Sequence, residues 1–297
     1  MREWFDARYS LPALWSAYGA IVLGYLAFVV LERLWPAHRP PKANEVRADI
    51  RANLIFFLVN PTAVFAGTWL ASPAARYIGG PLIHFDLRRW GSLPVWSFML
   101  AFVPFLVFDF FYYWYHRTQH RWGWLWEVHR LHHSEAAVNV LTSLRHHWLE
   151  EFFRAFFIFL PMNWLIGMDL PTSAVAAVLI RQWNGFFHSN IRLSLGALTP
   201  IIAGPQYHRV HHSIEEKHFG KNFAAFFPVW DWVFRTYWRP AREEWPATGL
   251  TDTDGLWTTR DLLFAPFIGW ARGTNAWLRR FKAGSDPEFA KQRRGTF

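Results

Sequence analysis

Uncharged apolar blocks long enough to cross a lipid bilayer alternate with polar, charged segments along the chain. Leu11 to Leu31 form the first block, 21 residues without a charge, and a helix of that length is about 31 Å long. Leu54 to Ala75 form a second block, in which Pro61 is expected to kink a helix without necessarily ending it. Ser92 to Phe108 form a third block. Each block predicts a membrane-spanning helix.

A fourth apolar stretch, from Phe152 to Phe187, is interrupted by Met168-Asp169-Leu170-Pro171, which predicts a turn between two helices. We therefore expect an all-α integral membrane protein with about four to five membrane-spanning or hairpin helices. No Gly/Ser-rich or Pro-rich linker divides the chain. We expect an N-terminal transmembrane region over 1–91, a catalytic domain over 92–240 and a basic cytosolic tail over 241–297.

The composition indicates polar segments in addition to the apolar blocks, and it limits the residue types that could bind a metal ion. Hydrophobic residues make up 52% of the chain, yet the mean hydropathy is only +0.02, so charged and His-rich segments must offset the apolar blocks. The chain has no cysteine, which excludes disulfides, Cys-ligated zinc and iron–sulfur clusters held by cysteine. A metal ion would have to be bound by His, Asp or Glu.

The net charge of +9 lies mostly in stretches that flank the apolar blocks. No nucleic-acid-binding motif accompanies these stretches, so anionic lipid headgroups are the expected partner and nucleic acid is not. The most basic short loop lies between the first two blocks and contains Arg33, Arg39, Lys42, Arg47 and Arg51. The positive-inside rule places this loop, and with it the end of the third span, on the cytoplasmic face. Three arginines of the next loop leave the opposite orientation open: Arg76, Arg88 and Arg89.

Histidines recur in three clusters, one with the spacing i, i+4 and two with the spacing i, i+3, i+4. The clusters are His116 and His120; His129, His132 and His133; and His208, His211 and His212. On a helix these offsets bring the imidazoles within an arc of about 100°. Neutral imidazole is the commonest transition-metal ligand, and eight such groups exceed the four of a structural zinc site. The clusters therefore predict a His-rich site for two metal ions on the cytoplasmic face.

Two more histidines stand at the ends of the predicted hairpin. His147 precedes Met168 by 21 residues and His188 follows Pro171 by 17 residues, so two helices of about 25–31 Å would return both to one membrane face. Spacing does not choose the metal, because imidazole binds Zn, Cu, Fe and Ni. A loop or surface position is expected for the histidines outside the motifs: His38, His84, His146 and His218.

Longer segments around the clusters carry a resemblance to a known family. They are Asp109-Phe110-Phe111-Tyr112-Tyr113-Trp114-Tyr115-His116-Arg117-Thr118-Gln119-His120, His129-Arg130-Leu131-His132-His133-Ser134 and Tyr207-His208-Arg209-Val210-His211-His212-Ser213, followed by Asn222-Phe223 and Trp230-Asp231. In this order and spacing the chain, over about 109–238, resembles the fatty acid hydroxylase and sterol desaturase superfamily of membrane-bound di-iron proteins.

The resemblance also assigns the isolated histidines. Arg145-His146-His147-Trp148-Leu149-Glu150 is similar to the family's Arg-x-His-Pro-x-Glu, so His147 rather than His146 takes the ligand position, with Trp148 in place of Pro. Phe187-His188-Ser189-Asn190 resembles the family's lone histidine. The implied ligands are His116, His120, His129, His132, His133, His147, His188, His208, His211 and His212.

What the resemblance implies is a membrane oxidoreductase in which two Fe ions and O2 hydroxylate or desaturate an unactivated C–H bond of a lipid. The lipid would be a sterol, a fatty-acyl lipid or a related one, taken from the bilayer. Because the chain lacks cysteine, a Gly-x-Gly-x-x-Gly fingerprint and an attached haem domain, a separate electron-transfer protein is expected to supply the electrons. The lipid, the reaction, the donor and the oligomeric state stay open at this point.

Four side chains are candidates to support the ligands, with no catalytic residue expected beyond the ligands themselves. Asp109 and Tyr113 precede His116 by seven and three residues, and the shared helix face would let them hydrogen-bond an imidazole. Arg181 and Asn184 precede His188 by seven and four residues. An arginine within an apolar hairpin is expensive unless it is paired, so Arg181 is expected to support the site, meet a polar group of the substrate or extend to the membrane surface.

Two other classes of protein are weighed against this hypothesis. A His-rich membrane metal transporter or metal-binding protein would need a trail of polar residues through the apolar helices, where only Arg181 and Asn184 stand out. A haem-binding electron carrier would need paired axial histidines facing each other, but not ten ligands in adjacent clusters.

Overall fold

The apolar blocks and the histidine clusters fold into helices in the computed structural model, which describes residues 11–79, 81–85, 96–168, 170–253 and 257–282. The helices are α1 (Leu11–Leu34), α2 (Ala43–Ile78), α3 (Trp96–Arg121), α4 (Gly123–His133), α5 (Leu149–Arg154), α6 (Leu160–Leu165), α7 (Leu170–His188), α8 (Pro205–His211), α9 (Val229–Val233) and α10 (Thr259–Lys282). A π-helix over Ala155–Phe159 joins α5 to α6, and short 3-10 helices cover Val140–Leu144, Gly196–Leu198 and Glu216–His218. The all-helical fold class is confirmed.

The predicted spans coincide with the long helices. α1 covers the first apolar block, and α2 contains the second block and continues through both Pro61 and Pro73. The beginning of the third block, residues 92–95, lies outside the described residues, and α3 follows it from Trp96 to Arg121. α3 therefore carries the first histidine cluster at its C-terminal end, as the sequence predicts.

In the described part of the chain, one helical stretch, Ala43–Ala74, is both long and apolar enough to cross a membrane. Several of its large apolar side chains are exposed: Leu58 is 78% exposed, Phe65 70% and Trp69 65%. Exposed apolar surface of this extent marks an interaction with another apolar phase or partner.

The two arms of the predicted hairpin end on either side of the predicted turn, in which Asp169 lies outside the described residues. The first arm runs through α5, the π-helix and α6 to Leu165, and the second arm, α7, begins at Leu170. Between the arms a short strand, β2 (Ile166–Met168), pairs in parallel with β1 (Ile83–Phe85), with Ile83 opposite Ile166. This pair of strands, which the apolar pattern did not predict, connects the end of the hairpin to the segment after α2.

An aromatic core fills the space between α3 and the two arms of the hairpin. Its buried members include Phe108 and Tyr115 of α3, Ile158 of the π-helix, Phe187 of α7 and Phe226. The Phe226 ring meets those of Phe108 and Phe105 edge-on, an arrangement that adds about 0.5–1.5 kcal/mol per pair beyond the area buried. The core fixes α3 and α7 relative to each other, and both helices carry histidines at their C-terminal ends.

A buried ion cluster joins α2 to the segment after α4. The Arg145 guanidinium lies 2.5 Å from a carboxylate oxygen of Asp49 and 3.1 Å from one of Glu135, and it also donates to the Ser134 hydroxyl. All four side chains are buried. Because breaking a buried ion pair leaves a charge without compensation, this cluster ties the histidine layer to α2.

The C-terminal tail forms a helix that packs on the histidine layer. Leu262 of α10 is buried against Leu131 of α4 and Ala52 of α2. The Trp148 indole donates to the carbonyl of Leu263, and the Trp270 indole donates to the carbonyl of Trp124. Helix α10, which lies in the predicted C-terminal tail, therefore packs against α4.

Candidate metal centre

Nine of the ten histidines predicted as ligands converge in two buried groups. The first group contains His116, His120, His129, His133 and His211; the second contains His132, His188, His208 and His212. Within each group the candidate ligand nitrogens all lie within 4.8 Å of one another. Four helices contribute: α3 and α7 with their last turns, and α4 and α8 with the two triplet motifs.

Each triplet motif divides its rings between the two groups. In α4 the i, i+4 pair of His129 and His133 enters the first group, and His132 enters the second. In α8 the assignment is reversed: His208 and His212 enter the second group, and His211 the first. At about 100° per residue, position i+3 lies about 60° to one side of position i and position i+4 about 40° to the other. The triplet spacing is therefore suited to two adjacent centres rather than to one.

The distances between the ring nitrogens fit metal coordination. Nε2 of His129 is 3.1 Å from Nε2 of His116 and 3.1 Å from that of His133. In the second group the Nε2 atoms of His188 and His132 are 3.0 Å apart, and those of His208 and His188 are also 3.0 Å apart. Ligands at about 2.0–2.1 Å from a metal are roughly 2.9–3.4 Å apart at neighbouring octahedral or tetrahedral positions. The two groups therefore fit one metal ion each.

Backbone carbonyls fix which nitrogen of three rings is available to a metal. Nδ1 of His116 donates to the carbonyl of Phe223 at 2.8 Å, Nδ1 of His211 to that of Lys221 at 2.9 Å, and Nδ1 of His188 to that of Asn184 at 2.8 Å. Since a carbonyl only accepts, Nδ1 carries the proton in each ring and Nε2 keeps its lone pair for the centre of its group. Such outer hydrogen bonds orient metal-bound imidazoles.

Burial keeps the converging rings neutral. It lowers the pKa of His132, His208 and His212 well below the usual range, with neighbouring imidazoles adding to the effect, and lowers the pKa of His211 to about 4. At neutral pH the rings therefore offer lone pairs rather than positive charges. Several uncharged lone pairs within 4.8 Å of one another form a site with a preference for a cation.

His147 lies outside both groups. It is buried, its Nδ1 accepts a hydrogen bond from the backbone N–H of Leu149 at 3.2 Å, and its ring lies 5.3 Å from that of Trp148. Its role as a ligand remains a prediction. Its neighbour His146 lies in a loop, as expected, but it is buried and stacks on the ring of His132 at 4.4 Å.

His146 belongs to a third convergent group, with His129 and Glu150, that the sequence did not predict. A carboxylate oxygen of Glu150 accepts a hydrogen bond from Gln119 at 2.7 Å and lies 3.6 Å from Nδ1 of His129. Burial raises the pKa of the Glu150 carboxyl to about 7. The adjacent histidines before Glu150 were the sign of this group in the sequence. The family motif, however, assigned the ligand position to His147 rather than to His146.

The supporting roles expected of Asp109 and Tyr113 take another form. Among the described contacts neither side chain bonds an imidazole. The Asp109 carboxylate accepts the backbone N–H groups of Ala225 and Phe227 at 2.7 and 2.6 Å, and the Tyr113 hydroxyl bonds that of Thr236 at 2.8 Å. Both side chains therefore hold the segment after α8.

Asp231 completes the support of this segment. Its carboxylate accepts the N–H groups of Phe223 and Ala224, each at 2.9 Å, and is also bonded by the hydroxyls of Thr236 and Tyr207. Phe223 in turn provides the carbonyl that orients His116. Asp109 and Asp231 thus act on the histidine layer through the backbone rather than by direct contact.

Two cavities border the histidine layer. The larger, about 500 Å³, is lined by three rings of the first group together with Trp126, Phe219 and Asp252; the rings are those of His120, His133 and His211. The smaller, about 180 Å³, lies between α3, the hairpin arms and Phe226 and contains Arg181 and Asn184. The larger cavity is the one that gives a ligand direct access to the candidate metal ligands.

The histidines outside the motifs mostly serve the fold. His218 is buried rather than at the surface, and its ring bonds the Ser213 hydroxyl at 2.8 Å and the Glu244 carboxylate at 3.0 Å. His38 bonds the carbonyl of Trp245 at 3.0 Å. His218 therefore fixes the segment that follows α8, next to the third cluster.

Comparison with known proteins agrees with this site. Residues 101–236 match the fatty acid hydroxylase family. An alkylglycerol monooxygenase of Danio rerio is 31% identical over 192 residues, 64% of this chain and 40% of that protein. An ornithine lipid hydroxylase of Rhizobium tropici is 25% identical over 251 residues, 84% of this chain and 74% of that protein. A very-long-chain aldehyde decarbonylase of Oryza sativa subsp. indica is 31% identical over 172 residues, 56% of this chain and 61% of that protein.

The histidine-bearing part of the fold is the part that is similar to a known family. Residues 101–236, which contain both groups of imidazoles, match the fatty acid hydroxylase family. The whole chain spans about two fifths of the length of the alkylglycerol monooxygenase of Danio rerio. No solved structure matches the chain.

Proposed function

We propose that this protein is a membrane-bound, O2-dependent di-iron oxidoreductase that hydroxylates or desaturates an unactivated C–H bond of a lipid. One observation carries the proposal: two buried, adjacent groups of neutral imidazoles, each with the nitrogen spacing of a metal site, lie within the part of the chain that matches the fatty acid hydroxylase family. Convergent imidazoles without a cysteine suit iron as well as zinc.

The two groups would hold one iron each, with the nine converging histidines as ligands and His147 as a tenth ligand predicted from its motif. When bound, the two irons would supply the redox chemistry by which electrons from the donor reduce O2 and the C–H bond is oxidised. The chain's own contribution is geometric. Carbonyls of Phe223, Lys221 and Asn184 hold three rings in the ligating orientation, and burial of the layer excludes water that would quench an oxidant.

The larger cavity would bring the substrate to the irons. Its volume of about 500 Å³ falls within the range of about 300–1,000 Å³ typical of small-molecule sites. Trp126, Ile214, Phe219 and Leu250 give it apolar walls, and the histidine rings form part of its lining. A hydrocarbon segment of a lipid matches such walls.

The membrane setting follows from the long helices. We propose about four to five spanning or hairpin helices, with the histidine layer on the cytoplasmic face. The N-terminal transmembrane region would cover residues 1–91, the catalytic domain residues 92–240 and the basic cytosolic tail residues 241–297. The exposed apolar side chains of α2, such as Leu58 and Phe65, support contact with lipid tails, and exposed Arg39 and Arg51, which flank the start of α2, suit a cytoplasmic headgroup layer.

The relatives narrow the substrate to lipids without fixing the reaction. Their names describe a monooxygenase of alkylglycerols, a hydroxylase of an ornithine lipid and a decarbonylase of very-long-chain aldehydes. We extend only the shared substrate class to this chain. Because no cysteine or dinucleotide fingerprint occurs in the sequence, a separate electron-transfer protein would deliver the electrons.

The test is a comparison of cellular lipids. The full chain is expressed together with its host's electron-transfer proteins, and the lipids are compared by mass spectrometry with those of cells that express the double variant His132→Ala, His211→Ala. A gain of about 16 mass units in one lipid class indicates hydroxylation, and a loss of about 2 indicates desaturation. Identical lipids, together with metal transport into vesicles that contain the protein, would replace the proposal by the transporter alternative.

A further inference from the structure

The smaller cavity, which the oxidation chemistry does not require, contains an unusual set of polar side chains. It lies between α3, the π-helix region and α7, and most of its lining is apolar, including Phe108, Ile158 and Phe226. Set into this lining are Glu151, Arg154, Arg181 and Asn184. Burying a polar group in an apolar space between helices costs free energy unless the group has a partner. Each of these four side chains is therefore expected to have a partner.

Arg154 and Glu151 form an ion pair with each other. The Arg154 guanidinium lies 2.6 Å from a Glu151 carboxylate oxygen and 3.7 Å from one of Glu150. Its positive charge is therefore compensated by the chain itself, and Glu151 is neutralised in the same pair. Neither presents a net charge to a ligand.

Arg181 has no such compensation. In the described part of the chain no carboxylate forms an ion pair with it, and it is only partly exposed. The Tyr25 hydroxyl bonds both the carbonyl and the side chain of Arg181, but a neutral hydroxyl does not compensate the charge of the guanidinium. A guanidinium of this kind pairs best with a planar or tetrahedral oxyanion, to which it can donate two parallel hydrogen bonds.

An unsatisfied acceptor lies one helical turn from Arg181. Asn184 Oδ1 is buried without a hydrogen-bond partner, although the carbonyl of the same residue accepts from His188. A side-chain amide oxygen accepts N–H or O–H donors. The cavity thus offers a cation and, beside it, an acceptor. The π-helix over Ala155–Phe159 forms part of the wall, and such irregular turns are frequent at functional sites.

We propose that this cavity is a binding site for the acidic end of a lipid: the carboxylate or phosphate pairs with Arg181, and a neighbouring N–H or O–H group of the same lipid donates to Asn184 Oδ1. With about 180 Å³ the cavity is smaller than a site for a whole drug-sized ligand, so it accepts a headgroup. The hydrocarbon tail would leave past Phe159, which is 39% exposed at the rim. The site does not depend on the oxidation reaction.

The position of the site couples it to the histidine layer. Tyr112 and Phe187 belong to its wall. The Tyr112 ring lies 5.2 Å from that of His116 in the first group, and the Phe187 ring lies 4.3 Å from that of His208 in the second. A bound headgroup is thus separated from both groups of imidazoles by one aromatic ring.

Binding of a matched pair of probes tests the inference. The purified full chain in nanodiscs of phosphatidylcholine is titrated with N-dodecanoylglycine, which has a carboxylate next to an N–H, and with its uncharged methyl ester. We expect the acid to bind at least about tenfold more tightly than the ester, the effect of one charge-assisted hydrogen-bonded pair. Arg181→Gln should abolish this preference while Arg181→Lys keeps part of it, and Asn184→Leu should weaken both probes by about threefold to tenfold.

Arg192→Gln is the control, because Arg192 is exposed and pairs with exposed Glu243. It should leave the preference unchanged, and thermal melts of all variants verify folding. Equal binding of acid and ester by the wild type, or a preference that survives Arg181→Gln, would overturn the inference. N-acetylglycine, which has no tail, should not compete; competition at equal concentration would assign the site to a free carboxylate instead of a lipid. Since no turnover is measured, failure of the proposed oxidation would not affect this result.

Discussion

Nδ1 of His116 donates a hydrogen bond to the backbone carbonyl of Phe223, 2.8 Å away. This contact joins the first histidine cluster, at the end of α3, to the segment that follows the third cluster. The segment itself is held by two buried carboxylates, Asp109 and Asp231, which together accept five of its backbone N–H groups. The orientation of a candidate ligand therefore depends on carboxylates that do not touch it.

Substitution of Asp109 by Asn should disturb this support. The amide keeps one acceptor oxygen but turns an N–H₂ donor toward the backbone N–H groups of Ala225, Phe226 and Phe227. Loss of a charge-assisted hydrogen bond to a buried group costs about 1.5–3 kcal/mol. We expect a lower melting temperature and weaker metal retention in purified Asp109→Asn. Glu243→Gln, at an exposed side chain, is the matched control; equal stability of the two variants would contradict the supporting role.

The division of the triplet motifs predicts separate losses of metal. His211 belongs to the first group and His132 to the second, so each single substitution by Ala should damage one site only. Elemental analysis of the purified proteins should give about two metal ions per wild-type chain and about one in each variant. The double variant should retain close to none. If either single substitution removed both ions, or if the wild type bound one, a single shared site would explain the clusters better.

His146 and His147 provide a direct comparison between the motif and the geometry. The motif indicates His147 as a ligand, whereas His146 is the one that converges with His129 and Glu150 and stacks on His132. The geometry leads us to expect that His146→Ala lowers metal content or lipid product by about tenfold or more, the range typical of changes around ligands. His147→Ala should have a smaller effect. The reverse order would show that the motif identifies the more important histidine better than the geometry does.

The ion cluster of Arg145, Asp49 and Glu135 should be essential for folding rather than for chemistry. Arg145→Gln leaves two buried carboxylates without their cation, and breaking a buried pair in this way costs about 3–5 kcal/mol. Thermal unfolding followed by circular dichroism should show a large decrease in stability. Arg192→Gln, which breaks an exposed pair, should change the melting temperature little; a similar small change for Arg145→Gln would show that the cluster is dispensable.

The sequence predicted those parts of the site that follow from local helical geometry. The spacing within each triplet placed three imidazoles on one side of α4 or α8, and the apolar blocks located the helices. Which ring of a triplet joins which group could not be predicted, because His132 meets His188 and His212 only after α7 and α8 pack against α4. His146 was missed for the same reason, since it reaches the layer through the fold of a loop rather than through a periodic pattern.

The supporting contacts were predicted less well than the ligands. Helical phase placed Asp109 and Tyr113 on the face of His116, which suggested direct bonds, but Asp109 bonds the backbone of the 222–227 segment and Tyr113 bonds Thr236. This segment is far from α3 in the sequence, and no local signal indicated its path. Asp231 was recognised only as part of a family motif, although four different groups bond its carboxylate.

The central claim, oxidation of a lipid by O2 at a two-metal centre, is tested most directly with isotopically labelled oxygen. The protein is reconstituted in vesicles with ferrous iron, a chemical reductant and lipids from its host, and then exposed to ¹⁸O₂. We predict a lipid that gains about 18 mass units if it is hydroxylated, or loses about 2 without label if it is desaturated, and no change without O2 or in the His132→Ala, His211→Ala variant. Unchanged lipids in a sample with two irons bound per chain would contradict the account.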